Sequence, residues 1–235
     1  VASRGLGDVY KRQQFSHMAI TDRRFYGRGP EMLELLENAR EQGVDIVFDM
    51  YPYTAAQAGL DQMIPAWVQT GGIDKYLERL QNQEIRDKVR KEVAIGIGGL
   101  APLWETWVVA DVQTDKNKNI VGKSIADIAI ERDLEPAELV LRLEEEERVV
   151  LSGVIHNRVE EDIRYFLSHP LGMIGSDGNA ISPTGTYSNE QLHPRFYGTY
   201  PRILGRYVRE QSLLSLETVS YTHLRAHETL RYLVC

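Results

Sequence analysis

The stretch from Phe15 to Met50 constrains the fold more than any other part of the chain. Phe15 to Met18 (FSHM) is a short apolar run that opens into a loop punctuated by Gly27, Gly29 and Pro30. From Glu31 the apolar residues Met32, Leu35, Leu36 and Ala39 recur at helical spacing, with Pro30 suited to the first turn and Gly43 where a C-cap belongs. Val44 to Met50 (VDIVFDM) is rich in β-branched and aromatic residues and halts at Tyr51-Pro52-Tyr53, because Pro52 lacks the N–H a central strand would use. Strand, helix and strand in so short a stretch is a βαβ unit, which builds a parallel sheet with its loops at the strands' C-terminal ends. The same rhythm returns later: Val149 to His156 reads as a strand, Glu160 to Ser168 as a helix, and Leu171 to Ser176 (LGMIGS) as a strand that runs into Asp177. The fold class is α/β.

Residues 60–125 lose this rhythm. Gly71-Gly72, a charged helix from Asp74 to Glu92, Gly96, Gly98 and Gly99, and the run Trp104 to Val109 read as the start of an insertion. Ser124 to Arg132 and Pro136 to Glu147 read as two short helices within it, with Glu144 to Glu147 as a solvated charged face. The domain expectation is one unit over residues 14–218, with an insertion at about 60–150. Residues 1–13 (VASRGLGDVYKRQ) and 219–235 (VSYTHLRAHETLRYLVC) do not continue the patterns beside them and are read as adapter-like, non-native ends. His223, His227 and Cys235 are therefore kept out of any site, and the chain between those ends reads as a piece cut from a longer protein.

Charge and apolar run length narrow the partners. The net charge of −7 gives no clustered cationic face of the kind that holds a nucleic-acid backbone. The longest apolar runs, such as Val149 to Ile155, fall short of the ~20 residues a membrane-spanning helix needs. A small-molecule partner is the expectation, with neither nucleic acid nor membrane, and cytoplasm is the default location. The single cysteine rules out a disulfide framework or a Cys-rich zinc site within this chain.

Two short strings carry the candidate chemistry. Ser16-His17-Met18 and Gly175-Ser176-Asp177-Gly178 each place a polar, metal-competent side chain at the C-terminal end of a buried strand, on the face where βα barrels do chemistry. A neutral imidazole and a carboxylate suit a hydrolytic zinc ion, and a carboxylate can also take a proton from water. On the pattern alone, a single His after an apolar run is more often a hydrogen-bonded structural residue, and an Asp before Gly is most often a turn former.

Read together, SHM, D-x-YPYTA, GMIGSDG and the long string HPRFYGTYPRILGRYVRE resemble the C-terminal half of the N-acyl-D-amino-acid deacylases of the amidohydrolase superfamily. The resemblance spans residues 14–218, and VGKSIADIA and EEDI fit it too. It implies the last strands of a zinc-dependent (β/α)₈ TIM barrel that hydrolyses the amide of N-acyl amino acids. By position it makes His17 a metal ligand and Asp177 a carboxylate that contacts metal and acts as general base. Tyr51 becomes the donor to the scissile carbonyl oxygen, or else an aromatic at the barrel mouth with its hydroxyl in water. His193, Arg195 and Tyr53 fall in substrate-binding positions, Arg195 through a bidentate pair with a substrate carboxylate. Arg202 and Arg209 read as loop ties through internal salt bridges, and His156 as structural. The cofactor implied is Zn²⁺, one or two ions in the complete active site.

The sequence departs from the family at two places. Ala19 stands where a lysine is frequent, and Gln57 where a small hydroxyl residue is common; both changes are expected in the substrate pocket. A dihydropyrimidinase-like or other cyclic-amide hydrolase fits the same ligands, and so does a catalytically dead barrel serving as a binding module. The family's first-strand His-x-His pair and fifth-strand histidine have no counterpart in residues 14–218, so the isolated chain is expected to be inactive. The reading requires His17 and Asp177 to emerge at one end of one sheet with Tyr51 nearby.

Overall fold

A computed structural model describes residues 12–179, 181–182, 184 and 192–220. The chain divides into two compact units, one formed by Ala55–His156 and the other by the described residues on either side of it. The His223, His227 and Cys235 group lies outside the described residues.

The first unit opens with β1 (Arg12–Phe15), followed by helix α1 (Gly29–Glu41) and strand β2 (Asp45–Met50). Pro30 lies in the first turn of α1, and Gly43 just beyond it has φ 89°, a left-handed turn that only glycine adopts without strain. β1 runs parallel to β2 in the register Phe15 to Phe48. The strand thus starts and ends three residues earlier than FSHM suggests. Arg12 and Gln13, set aside above as part of a non-native end, take part in it, and Ser16 and His17 form the turn that follows.

The second unit begins with β3 (Ala56–Gly59) and continues through α2 (Ala66–Gln69), α3 (Ile73–Leu80), α4 (Gln83–Ile95), β4 (Trp107–Val109), α5 (Ile125–Glu131), α6 (Pro136–Glu147) and β5 (Ser152–Ile155). β5 sits between β3 and β4 and is antiparallel to both. Val149 to His156 therefore does not resume the parallel sheet; its strand portion closes the second unit's own sheet. The single helix read over Asp74 to Glu92 is two, because Asn82 caps α4 by accepting from the Ile85 amide at 3.1 Å. Val89, Ile125, Ile128, Leu139, Leu141 and Leu143 are buried in the unit's core, each such side chain contributing about 1.5–3 kcal/mol.

The charge run on α6 is no solvated face. Glu144 and Glu147 are buried. Glu147 accepts from the Gln113 and Thr114 amides at 2.6 and 2.8 Å, while Glu145 pairs with Arg86 at 2.7 Å and Glu146 with Lys116 at 2.6 Å. The carboxylates pin the loop after β4 and helix α4 onto α6, a tertiary use that a run of like charges does not reveal. Neither Glu144 oxygen has a well-formed hydrogen bond. Burial raises its pKa to about 7, against a weaker opposing effect of the nearby Tyr76 hydroxyl.

Returning to the first unit, α7 (Glu160–Leu167) leads into β6 (Gly172–Ile174), which pairs parallel with β2 in the register Met50 to Ile174. The sheet order is β1-β2-β6. Helix α8 (Arg195–Arg202) carries Pro201 and passes directly into a π-helical stretch, Ile203–Glu210. The unit's core joins Met18, Leu33, Phe48, Met50, Phe166 and Tyr207. Phe48 meets Phe166 edge to face at 6.0 Å. Val219, the first residue of the tail set aside above, is buried in the same core. No helix among the described residues is long and apolar enough to cross a membrane.

Candidate functional site

Because β1, β2 and β6 are parallel and in register, the residues just past their C-terminal ends emerge along one edge of one sheet. These are His17, Tyr51 and Asp177. His17 and Asp177 both have left-handed backbones, with φ of 44° and 48°. Non-glycine residues seldom adopt that conformation, and where they do the surroundings must hold it.

Asp49 does so for His17. Its carboxylate accepts from the His17 amide at 2.8 Å, from Ser16 Oγ at 3.5 Å and from the Gln14 side-chain amide. Its carbonyl accepts from the Met18 amide at 2.8 Å. Gly175 makes room: a Cβ there would lie 2.9 Å from Asp49 Oδ1. One buried carboxylate on the central strand thus shapes the turn that carries His17. The His17 residue itself is exposed. Around Asp177, Ser176 Oγ accepts from the Gly178 amide at 3.2 Å, an ST-turn that shapes the loop after β6.

Arg195, in the first turn of α8, ties two of the three together. Its Nη1 donates to Tyr51 Oη at 2.9 Å and lies 2.8 Å from Asp177 Oδ2. The Tyr51 ring is buried, with 1% of its surface exposed, so its hydroxyl is not a group in open water. Burial is the first cause that pushes its pKa up, which keeps the hydroxyl protonated. With Arg195 donating to the oxygen, the hydroxyl hydrogen remains to be donated. Arg158 stacks on the same ring, its guanidinium 4.0 Å from the centroid, against 4.9 Å for Arg195.

His193 and Tyr53 form a support behind these groups. His193 is 4% exposed, and its Nδ1 accepts from the Arg195 amide at 3.0 Å, which fixes the start of α8. Its ring meets Tyr53 edge to face at 5.2 Å. Tyr53 Oη donates to the Pro194 carbonyl at 3.4 Å and sits where a Cβ on Gly198 would be 2.5 Å away. Arg202 does tie the loop, but through the Pro52 carbonyl at 2.6 Å, with its guanidinium over the Tyr53 ring. Arg209 pairs with its neighbour Glu210 on the surface.

Ala19 lines a small cavity of about 10 Å³ with Met18, Met50 and Arg158, space for a single water molecule. Gln57 lies in β3, where its amide donates to Ser152 Oγ at 2.9 Å. His156 follows β5 and is exposed, its amide donating to the Thr106 carbonyl. Sequence reasoning quoted Asp49 in the D-x-YPYTA string but gave it no role, and it passed over Arg158. The signal for Asp49 was a carboxylate next to the last residue of an apolar strand; Arg158, in a polar loop, gave none.

The described residues hold no group of three or more His, Cys, Asp or Glu side chains placed to bind a metal ion. The donor types of His17 and Asp177 suit zinc, but their number does not complete a shell.

No family model matches the chain. Among curated proteins it is 28% identical over 195 residues to N-acyl-D-glutamate deacylase of Alcaligenes xylosoxydans xylosoxydans, covering 82% of this chain and 29% of that protein. It is 27% identical over 204 residues to D-aminoacylase of the same organism, covering 86% and 31%. Among solved structures it superposes on N-acyl-D-glutamate deacylase from Bordetella bronchiseptica, in complex with zinc and a phosphonate mimic of the tetrahedral intermediate. That match has a TM-score of 0.59 and 23% identity over 90% of this chain and 34% of the other. A D-aminoacylase structure gives a TM-score of 0.60 with the same identity and coverage. The chain spans about a third of the length of these relatives. The chain is similar in sequence to N-acyl-D-glutamate deacylase and D-aminoacylase, and similar in fold to the solved structures of both.

Proposed function

We propose that this chain supplies the last strands of a (β/α)₈ amidohydrolase barrel, and that the complete protein hydrolyses N-acyl-D-amino acids to a carboxylate and a free amino acid. The observation that carries the reading is the placement of His17, Tyr51 and Asp177 on one edge of a parallel sheet, the last two joined through Arg195.

The roles follow from the groups. Asp177 takes a proton from the attacking water and passes it to the amide nitrogen as the C–N bond breaks, so that the amine leaves neutral. Tyr51 donates its hydroxyl hydrogen to the scissile carbonyl oxygen, whose negative charge grows in the tetrahedral transition state. Arg195 holds both groups and presents the guanidinium that the substrate carboxylate meets. His193 and Tyr53 act one step back, by fixing the start of α8 on which Arg195 sits. His17 and Asp177 would hold zinc together with ligands from elsewhere in the protein. A zinc ion there would polarise the scissile carbonyl and acidify the attacking water.

The test is to express the complete gene product with zinc and to assay free amino acid released from N-acetyl-D- and N-acetyl-L-amino acids, with Asp177→Ala as control. D-selective release abolished by the substitution supports the reading. Release from neither series, in a protein that binds zinc, refutes it.

A further inference from the structure

The Tyr51 ring lies under two guanidinium groups, Arg158 at 4.0 Å from its centroid and Arg195 at 4.9 Å. Arg195 also binds the hydroxyl and Asp177, and the proposed mechanism uses it. Arg158 has no such task. It is buried, with 9% of its surface exposed, and its Nε and Nη1 have no hydrogen-bond partner among the described residues. Burial is the main cause that pulls its pKa down. A buried cation with so few partners destabilises a fold, and a well-packed apolar side chain in its place is often as stable or more so. Stability alone therefore does not account for an arginine here. Nor does substrate reach those atoms, since the cavity beside them, about 10 Å³, has space for a single water molecule. What the guanidinium does cover is the ring of the proposed donor to the scissile carbonyl oxygen.

The backbone that carries Arg158 is held on both sides. Its amide donates to the Thr54 carbonyl at 3.1 Å, which joins it to the loop that follows Tyr51. Two residues on, Glu160 accepts from Tyr207 Oη at 2.8 Å and lies 3.0 Å from Arg206 Nη2. Tyr207 and Arg206 belong to the π-helical stretch that continues α8. Such stretches are rare, and this one locks the lead into α7 against the helix that carries Arg195. The two guanidinium groups thus hold one phenol from two connected helices.

We propose that Arg158 is a positioning residue: it holds the Tyr51 ring so that the hydroxyl stays on Arg195 and faces the scissile carbonyl oxygen. This rests on the deacylase reading above. A planar guanidinium stacked on one face fixes the ring plane, which a hydrogen bond to the hydroxyl alone leaves free to turn. A donor displaced by about 1 Å from a developing oxyanion loses rate without losing substrate binding.

The experiment uses the complete protein with zinc and measures kcat, KM and melting temperature on the N-acetyl-D-amino acid it hydrolyses best. The proteins compared are the unaltered one, Arg158→Met, Arg158→Lys, Tyr51→Phe and the double variant Tyr51→Phe with Arg158→Met. The proposal expects Arg158→Met to lower kcat about tenfold with KM within about twofold, and to keep or raise the melting temperature. Arg158→Lys, which keeps the cation but not the planar stack, should fall between. In the Tyr51→Phe background Arg158→Met should change kcat less than about twofold, because the hydroxyl it positions is gone. An undiminished loss in that background, an unchanged kcat, or an effect on KM alone would overturn the proposal. So would a lowered melting temperature with Arg158→Lys as impaired as Arg158→Met, which would make the stack purely structural. A crystal structure of Arg158→Met separates the proposal from the deacylase reading. If the unaltered protein hydrolyses no N-acyl-D-amino acid, that reading falls; a Tyr51 hydroxyl moved out of hydrogen-bond reach of Arg195 in the variant still supports the positioning role, and one that stays within reach overturns it.

Discussion

Replacing Asp49 by alanine removes the carboxylate that shapes the His17 turn. Asp49 accepts a charge-assisted bond from the His17 amide at 2.8 Å and another from the Gln14 side chain, with a weaker contact to Ser16. A hydrogen bond to a charged acceptor contributes about 1.5–3 kcal/mol. His17 sits in a left-handed conformation, which costs a non-glycine residue about 1–3 kcal/mol and must be held from outside. Without Asp49 the turn relaxes. Amide hydrogen exchange reads this directly: at about 1.4 kcal/mol per tenfold, the His17 amide should exchange roughly 10- to 100-fold faster in Asp49→Ala. The Gly175 amide, bonded to the Met50 carbonyl at 3.0 Å, should change far less. Asp49→Asn, which keeps an acceptor, should fall between. Protection of the His17 amide within twofold of the unaltered chain would refute the assignment of Asp49 as the residue that positions His17.

Three further outcomes follow from the geometry. A Glu144 pKa of about 7, against 4.5 for an unperturbed carboxyl, means the folded state binds more protons than the unfolded between those values, so stability falls as pH rises through that window. Glu144→Gln should then gain about 3 kcal/mol in urea denaturation at pH 8 and almost nothing at pH 4. Trp67, Trp104 and Trp107 all lie in the second unit and report its unfolding, and equal gains at both pH values would contradict the account. In Gly198→Ala the new Cβ would meet Tyr53 Oη at 2.5 Å, pushing the phenol off the start of α8; at about 1–3 kcal/mol for overpacking the melting temperature should drop by roughly 3 °C or more, and an unchanged melt would show that Tyr53 moves freely. In the complete enzyme, Tyr51→Phe should lower kcat about 100-fold with little change in KM, as loss of one donor to a developing oxyanion does; a KM effect alone would make Tyr51 a binding group.

The parallel sheet was legible because its signals are local: apolar β-branched runs in β2, a helical repeat with Pro30 and Gly43 as punctuation, and polar residues waiting at the strand ends. The boundaries of β1 were less so. FSHM is apolar enough to be a strand, but its register is set by pairing with Asp45–Phe48, and Asp49 turns Ser16 and His17 out of the sheet. Val149 to His156 misled for the converse reason: four residues of strand look alike in either sheet, and only their antiparallel partners β3 and β4 distinguish them. The Glu144–Glu147 run was opaque because its partners Gln113, Thr114, Lys116 and Arg86 come from distant segments. His17, Tyr51 and Asp177 could be named from sequence since they follow strand ends. The network binding Tyr51 and Asp177 to Arg195, and the stacking of the Arg158 guanidinium on the Tyr51 ring, are properties of packing that no spacing in the chain encodes.

The central claim, that His17 and Asp177 serve one metal-dependent site, is tested most directly by a crystal structure of the complete protein grown with zinc, with anomalous diffraction collected at the zinc edge. The account predicts an anomalous peak coordinated by the His17 imidazole and the Asp177 carboxylate, with Tyr51 facing the same space. A peak bound elsewhere, or zinc bound with His17 or Asp177 turned away from it, would contradict the account.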